Sequence, residues 1–545
     1  MNVLGLGGSN HDFAACLIVD GVVQGAIEEE RLTRIKHSLG LGLKAVRCRA
    51  ADYLLNQAGL SLDDIDVIVG NDILDPKYYE RFKDRIVLMN HHLAHASSSY
   101  YASGLDKSAV LVVDGYGSSV SPDSDINETV SFYQASGSSI ELISRVSGRI
   151  NRDREYPVFE NSIGAFYLTL TRGLGFEFLQ EGKTMGLAAY GSDSRFIREM
   201  SEYYRCGDEG EYHFSEEQAV GMADYIKLQL NGAANDEELF AIKANLAYAG
   251  QYHVEKTMVQ LSNYLYKRTK SDYLCLAGGV ALNSVANYKI LSQTPFKQIF
   301  IQPAAGDAGT AVGSAMYGHY ILGKQQWAPL NEIFSPYLGK EYTSTEVEAA
   351  IDAFKENIKV SRPLDLYAKV AGLISKGNII GFFNGRSEIG PRALGNRSIL
   401  ADARHPQMKD IINERIKHRE AFRPFAPIVL EEYQTEYVDM DHPSHYMLFV
   451  PPIHETKHSV IPAVTHEDGT GRIQTINKKL NPSIHRLLNS FYELTGVPVL
   501  LNTSFNDNNE PIVESPMDAV QCFLRIDLDY LVLGDYLLEK QSASL

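Results

Sequence analysis

The sequence predicts an α/β protein of at least two domains. Three observations carry this reading. Apolar runs of strand length end repeatedly in Gly-containing turns, and they alternate with longer stretches of helical period. At 545 residues the chain also exceeds what one hydrophobic core ordinarily organises.

Taken in order, Val3-Leu4-Gly5-Leu6-Gly7-Gly8-Ser9-Asn10-His11-Asp12, then Ala14 to Val19, then a run from Asp20-Gly21 to Glu28-Glu29-Glu30-Arg31 read as three antiparallel strands. Asp20-Gly21 is a two-residue hairpin signal, and the Gly-rich first turn would let backbone amides approach a phosphate or small ligand. Lys44 to Ala58 reads as a helix stopped by Gly59. A unit like the first recurs at Ala109 to Gly117, with short strands Thr129 to Gln134 and Ser139 to Ser144 behind it. Two such units joined by crossing helices would match an actin-like two-lobed architecture with facing phosphate loops.

Glu237 to Lys267 reads as two helices or one long one. A buried strand at Tyr273 to Ala277 breaks at Gly278-Gly279 before a helix, and either binds phosphate or adenosine on its amides or simply packs closely. After a strand at Gln298 to Gln302, Asp307 either caps the next helix or turns its carboxylate toward His91 and His95. Gly323 to Thr345 has little periodicity and marks the domain junction. Beyond it come a helix at Leu364 to Lys376, a strand at Asn378 to Phe383, an Arg- and Gly-rich loop from Gly385 to Ser398, and a strand at Val497 to Leu501. Gly5-Leu6-Gly7-Gly8 fails the dinucleotide fingerprint, and Walker A, kinase and nucleophile-elbow patterns do not occur.

Candidate metal chemistry lies between two strand runs. On a helix starting near Asn90, His91 and His95 project from one face at the spacing that lets two imidazoles reach one ion. Sixteen histidines in 545 residues give roughly half such a pair by chance. A third, oxygen ligand is therefore needed, and Asp114, closing Ala109 to Val113 before a Gly, stands where α/β sites gather.

The formal charge is −17, which disfavours extended nucleic-acid contact, although screening over roughly 8 Å leaves local basic pockets free to act. The balance reverses between Arg386 and Arg423, where nine Lys and Arg face five acids. Some of these belong to a solvated helix face, and the remainder suggest a compact anionic ligand. Five scattered cysteines without a CxxC read as reduced core thiols. No apolar run reaches the roughly twenty residues needed to span a bilayer and no basic leader is visible, so a cytoplasmic protein without a membrane partner is expected.

Seven segments, in this order, resemble the O-carbamoyltransferases of the NodU/TobZ type: Gly8-Ser9-Asn10-His11-Asp12, Glu28-Glu29-Glu30-Arg31, His91-His92-Leu93-Ala94-His95, Glu181-Gly182-Lys183-Thr184-Met185-Gly186-Leu187-Ala188, Gly278-Gly279-Val280-Ala281-Leu282-Asn283, Gly390-Pro391-Arg392-Ala393-Leu394-Gly395 and Phe422-Arg423-Pro424-Phe425-Ala426-Pro427. The resemblance implies an actin-like (ASKHA) two-lobed domain over residues 1–340 and a YrdC-like α/β domain over residues 341–545. It implies that carbamoyl phosphate and ATP form carbamoyl adenylate, whose carbamoyl group then passes to a hydroxyl of a small-molecule, natural-product acceptor.

Carried over by motif, His91, His95, Asp114 and Asp307 are implied metal ligands, with Fe2+ as the ion and Mg2+ accompanying ATP. His11 and Lys36 are implied near the transferred group, and His11 is the candidate base. Arg392, Lys417, Arg423, Arg472 and Ser504, with Asn502 and Asn506 beside them, are implied around carbamoyl phosphate and ATP. Gly278, Gly279, Val280 and Asn283 are implied to meet carbamoyl adenylate in the amino-terminal domain. A homodimer is a further expectation. Three other readings stand beside this one, and one of them is a nucleotide-regulated scaffold that would not consume ATP in the presence of carbamoyl phosphate. A small-molecule kinase of actin-like fold would leave the carboxyl-terminal basic cluster idle, and the acidic balance disfavours threonylcarbamoylation of tRNA.

Overall fold

The computed structural model describes residues 1–40, 48–122, 124–151, 158–329 and 332–541. The chain divides into two compact units. The first comprises Met1–Val23, Gly40–Ala51 and Gly59–Phe334, the second Gln24–Leu39, Asp52–Ala58 and Ser335–Leu545. The irregular stretch expected to hold the junction does hold it. A single cut after residue 340 nevertheless misdescribes the chain, because two segments from its first sixty residues belong with the carboxyl-terminal unit.

The first unit is built on a repeated sheet. One sheet has the order β3 (Val22–Glu28), β2 (Ala14–Val19), β1 (Asn2–Gly7), β4 (Val67–Asn71), β5 (Ile86–Met89), and β3 carries the chain into the second unit. Strand β1 pairs antiparallel with β2 and parallel with β4, which pairs parallel with β5. The other sheet repeats the pattern with β6 (Lys107–Val113) in the place of β1. Antiparallel β7 (Ile126–Ser136) and β8 (Ser139–Asn151) follow on one side and are extended by β9 (Val158–Phe159). A two-stranded ribbon, β10 (Arg205–Cys206) with β11 (Tyr212–His213), precedes parallel β12 (Tyr273–Ala277) and β13 (Gln298–Ile301) on the other side of β6. The duplication expected from the two Gly-bounded units is present, with the mixed α/β topology an actin-like chain requires.

Corresponding helices follow the last strand of each sheet: His91–Ser103 after β5, and Thr310–Tyr317 after β13. They pack backbone to backbone, since a Cβ on Gly313 would fall 1.8 Å from the Ala94 carbonyl oxygen. A Cβ on Gly7 would likewise fall 2.2 Å from the Ala311 nitrogen. The glycines at the first turn therefore serve helix packing, and the Gly8 amide is spent on the Asp307 carbonyl at 3.1 Å. The expectation that this turn offers its amides to a phosphate is corrected accordingly. The stretch expected as two helices or one long one is the single helix Asp236–Thr269. The helix expected from Lys44 is observed as Arg49–Ala58, and residues 44–47 lie outside the described residues.

The second unit holds an eight-stranded sheet in the order β14 (Ile358–Ser361), β21 (Tyr536–Lys540), β20 (Tyr530–Leu533), β15 (Ile380–Phe383), β16 (Arg397–Asp402), β19 (Val499–Ser504), β17 (Ala426–Leu430), β18 (Gln474–Ile476). Helices Leu366–Ile374 and Pro482–Thr495 bury their apolar stripes in one cluster with Phe382, Leu400, Ile428 and Leu500. Burial of such side chains is the main favourable term holding the sheet together. All five cysteines are free thiols. Among the described residues no helix is long and apolar enough to cross a membrane.

Candidate metal centre and guanidinium cluster

The repeat places equivalent chain ends together in the first unit. His91 opens its helix, whose N-cap Asn90 accepts from the Leu93 amide at 2.8 Å, and the Asn90 amide group donates to Glu128 at 2.8 Å. One turn on, His95 faces the same way. Their Nε2 atoms lie 3.1 Å apart, and both meet Asp114 Oδ2, at 3.1 and 3.2 Å. Asp307 Oδ1 stands 3.6 and 3.7 Å from the same two nitrogens. One ligand atom from each of the four side chains falls within 4.8 Å of all the others.

Second contacts aim these ligands. Asp114 Oδ1 accepts from the Gly115 amide at 2.8 Å and the Gly279 amide at 3.1 Å, which leaves Oδ2 to the imidazoles. Gly279 reaches it because Gly278 adopts φ +93°, where any Cβ would sit 2.2 Å from the Val113 carbonyl oxygen. The Asp307 carbonyl takes the Gly8 amide at 3.1 Å and the Thr310 hydroxyl at 2.5 Å. Its carboxylate therefore faces the histidines and makes no helix cap.

Two imidazole nitrogens and two carboxylate oxygens suit a divalent ion of intermediate softness. The buried Nδ1 atoms of His91 and His95 have no hydrogen-bond partner, so both rings direct their polar capacity through Nε2 to the shared point. Burial alone would lower His95, yet Asp114 and Asp307 lift it to about 9. Asp114 is held well below the usual carboxylate range: burial opposes this, and His91 and His95 overcome it. His92, the remaining histidine of the motif, hydrogen-bonds Ser131 at 2.8 Å, and burial lowers it to about 4.

His11 lies on the turn after β1, its Nδ1 3.1 Å from Asp12 Oδ2 and its ring edge-on to Phe178 at 5.4 Å. Burial lowers it, but Asp12, Asp307 and Asp114 raise it to about 9, so in this charge arrangement the ring carries a proton. Lys36 belongs to the second unit, where its charge acts on Lys417.

Asn283, implied as an adenylate contact, caps the helix Ser284–Gln293 by accepting from the Ala286 amide at 3.1 Å, and exchanges two hydrogen bonds of 3.0 Å with Gln251. Its polar atoms are spent on structure. Gly279 likewise directs its amide to Asp114, and Val280 follows it in a short 3₁₀ turn.

In the second unit four arginines act on one another. Burial and the charge of Arg423 push Arg392 down to about 10. Burial and Arg423 bring Arg419 to about 9, although Glu420 opposes the shift. Arg472 is lowered furthest, by burial and then by Arg392, Arg419 and Arg423. Glu420, 3.9 Å from Arg423, is the carboxylate that offsets the group. Guanidinium stays protonated throughout the range proteins reach, so these shifts register burial of the charge first and mutual repulsion second, and a bound anion would offset both. Arg392 and Arg472 each keep a buried Nε without a hydrogen-bond partner. Arg419 was not among the expected contacts, although it stands in the basic run, and its Nε donates to Asn413 at 2.7 Å.

The remaining expected contacts divide otherwise. Lys417 directs Nζ to the Ser504 carbonyl, the Asn506 carbonyl and Asn506 Oδ1 at 2.7, 2.9 and 2.7 Å. Burial and the charges of Arg419, Arg423 and Lys36 lower its pKa, but three acceptors require three N–H bonds and hence the ammonium. Ser504 donates to Asn506 Oδ1 at 2.7 Å, and Asn506 donates to the Glu510 carbonyl at 2.7 Å. Asn502 is buried and donates to the Ala393 carbonyl at 3.1 Å and to Gln474 at 2.9 Å. Lys417, Ser504 and Asn506 thus form a knot that fixes the turn after β19, and Asn502 backs the Arg392 loop.

Residues 74–316 match the family described as Carbamoyltransferase N-terminus and residues 371–540 the one described as Carbamoyltransferase C-terminus. Nodulation protein NolNO of Sinorhizobium fredii is 37% identical over 98% of this chain and 80% of its own length. The chain belongs to the NodU/NolO carbamoyltransferase family. Nodulation protein NolO of Bradyrhizobium diazoefficiens is 38% identical to this carbamoyltransferase over 84% of the chain and 80% of its own length. Among solved structures, full-length HypF in its phosphate- and nucleotide-bound form is similar at 16% identity and a TM-score of 0.39, covering 60% of this chain and 56% of that one.

Proposed function

We propose that this carbamoyltransferase combines carbamoyl phosphate, water and ATP in its second unit, which we read as YrdC-like, releasing phosphate and pyrophosphate, and transfers the carbamoyl group of the resulting adenylate to a hydroxyl of a small-molecule acceptor in its first unit, releasing AMP. The observation that carries the proposal is the group formed by Arg392, Arg419, Arg423 and Arg472, whose mutual repulsion is offset by one glutamate. Planar guanidinium forks bind phosphate oxygens bidentately, and two phosphorylated substrates bring the negative charge these four lack.

His91, His95, Asp114 and Asp307 are the residues that would hold a divalent ion, with Fe2+ as our candidate and Mg2+ entering with ATP. Such an ion polarises a carbonyl oxygen or orients phosphate. The backbone amides of Gly115 and Gly279 keep the Asp114 carboxylate turned toward the histidines. His11 is the proposed base, with Asp12 on Nδ1 fixing the ring and leaving Nε2 for the acceptor proton. It can take that proton only when the charges of Asp114 and Asp307 are engaged elsewhere, as they are in a ligand set.

The test is incubation of the full chain with ATP, carbamoyl phosphate and Fe2+, following AMP, pyrophosphate and carbamoyl adenylate by mass spectrometry. AMP with pyrophosphate, dependent on carbamoyl phosphate, is the expected outcome. Formation of ADP would refute the proposal in favour of a kinase.

A further inference from the structure

Glu28-Glu29-Glu30-Arg31 is the motif that the proposed chemistry leaves idle. It belongs to the second unit, although it lies more than 300 residues from that unit's main segment, Ser335–Leu545. Glu28 is 6% exposed and Arg31 1% exposed. Glu28 Oε1 accepts from the Gly390 amide at 2.5 Å, and Arg31 Nη2 donates to the Gly390 carbonyl at 2.9 Å. Both peptide groups of one residue are held by an oppositely charged pair, and the chain then continues through Pro391 to Arg392. From the other side Glu388 Oε1 accepts from the amides of Leu394, Asn396 and Arg397 at 2.8, 2.7 and 3.2 Å.

The pair does not form a simple ion bridge. Arg31 Nε stands 3.9 Å from Glu28 and 3.7 Å from Glu30, beyond hydrogen-bond reach, while Nε and Nη1 have no hydrogen-bond partner. The best hydrogen bonds of both side chains go to the Gly390 backbone. A buried guanidinium with unmet donors is costly and serves stability poorly. Holding both peptide groups of Gly390, next to the Ile389 amide that donates to the Pro336 carbonyl at 2.8 Å, is what the arrangement accomplishes.

We infer that Glu28 and Arg31 are positioning residues that set the Arg392 loop for the anionic substrates, so that a segment from the first forty residues is part of the carboxyl-terminal site. The inference rests on the proposed adenylate-forming role of that site. Neither residue touches substrate in this reading. They act through Gly390 on Arg392.

The test uses the full chain with ATP and carbamoyl phosphate as probes, pyrophosphate release as readout, and circular dichroism and Tm as folding controls. Arg31→Lys keeps a charge but loses the planar fork, and Glu28→Gln keeps an acceptor oxygen, so both are suited to folding. Arg31→Lys is expected to raise KM for carbamoyl phosphate or ATP by about tenfold, the scale of one charge-assisted hydrogen bond. Arg392→Lys supplies the decisive background. If the clamp works through Arg392, adding Arg31→Lys to Arg392→Lys costs little more, which is strong coupling in a double-mutant cycle. Full additivity of the two losses, or unchanged KM in a folded Arg31→Lys protein, would overturn the inference. Wild-type protein that releases no pyrophosphate would instead reject the adenylate-forming reading itself, and the two failures are thus distinguishable.

Discussion

The metal centre and the guanidinium cluster handle charge in opposite ways. In the first unit two carboxylates and two imidazoles compensate one another within 4.8 Å, and their backbone supports aim each group before any ion arrives. In the second unit four like charges crowd together with Glu420 as their offset. The first arrangement pairs opposite charges and would serve as a ligand set for a divalent ion. In the second, burial and then mutual repulsion disfavour the charged guanidinium groups, and an anion bound among them would offset both.

The sharpest way to break this comparison is Asp307→Ala. It removes one of four converging ligands, and we expect loss of bound metal with acceptor carbamoylation falling more than about a hundredfold, while carbamoyl adenylate still forms. Metal analysis together with pyrophosphate and carbamoyl-transfer assays on folded protein checks it. Loss of adenylate formation as well would mean that the two charge clusters do not divide the chemistry.

Arg472→Met tests the other half. Adenylate formation should fall by about tenfold to a hundredfold, because one charge-assisted contact is lost. Stability without ligand should rise by about 1 kcal/mol as repulsion from Arg392, Arg419 and Arg423 is relieved. Tm measured without and with ATP decides it: the variant should start higher and gain less. A lower starting Tm would show that Arg472 is a structural arginine with partners of ordinary kind.

The convergence of His91, His95, Asp114 and Asp307 was legible because its geometry is local. Helical spacing gives His91 and His95, a strand end gives Asp114, and Asp307 opens the short 3₁₀ turn that follows β13, the strand that corresponds to β5 before His91. The duplicated sheet was legible from recurrent Gly-bounded strands. The guanidinium group was legible only as composition. Charge and turn position look alike whether an ammonium meets phosphate or three protein oxygens, and Lys417 meets three oxygens of Ser504 and Asn506. The second-unit address of Glu28, Arg31 and Lys36 is a long-range contact with no local signature.

The pH dependence of the second unit sharpens the comparison further. Burial raises Glu28 to about 7 from 4.5, with Arg31 opposing and Glu30 assisting. The folded value lies above the unfolded one, so the stabilising contribution is full below about pH 4.5 and is lost as pH rises through about 7. Glu28→Gln should therefore flatten the fall in denaturant-derived stability across that window, by on the order of 2 kcal/mol between its ends. An unchanged slope would place the charge on Glu28 throughout, and Arg31 would then be fully compensated.

The smallest effect separates a support from a ligand on the metal-bearing side. Asn283 stands in the Gly278-Gly279 segment, where adenylate contact was expected, yet its oxygen caps the helix Ser284–Gln293 and its amide group bonds Gln251. Losing an N-cap costs about 1 kcal/mol. Asn283→Ala should lower Tm by a few degrees and leave metal content and the KM of the transfer step within about twofold, since an N-cap contributes to the helix it opens and not to the ligands beyond it. Asn283→Asp should keep the cap but lose the donor to Gln251, and it should recover part of the stability. If Asn283→Ala instead raised KM for transfer tenfold with Tm unchanged, the side chain would be a substrate contact. The metal-bearing unit would then expose a polar group that this structure shows turned inward.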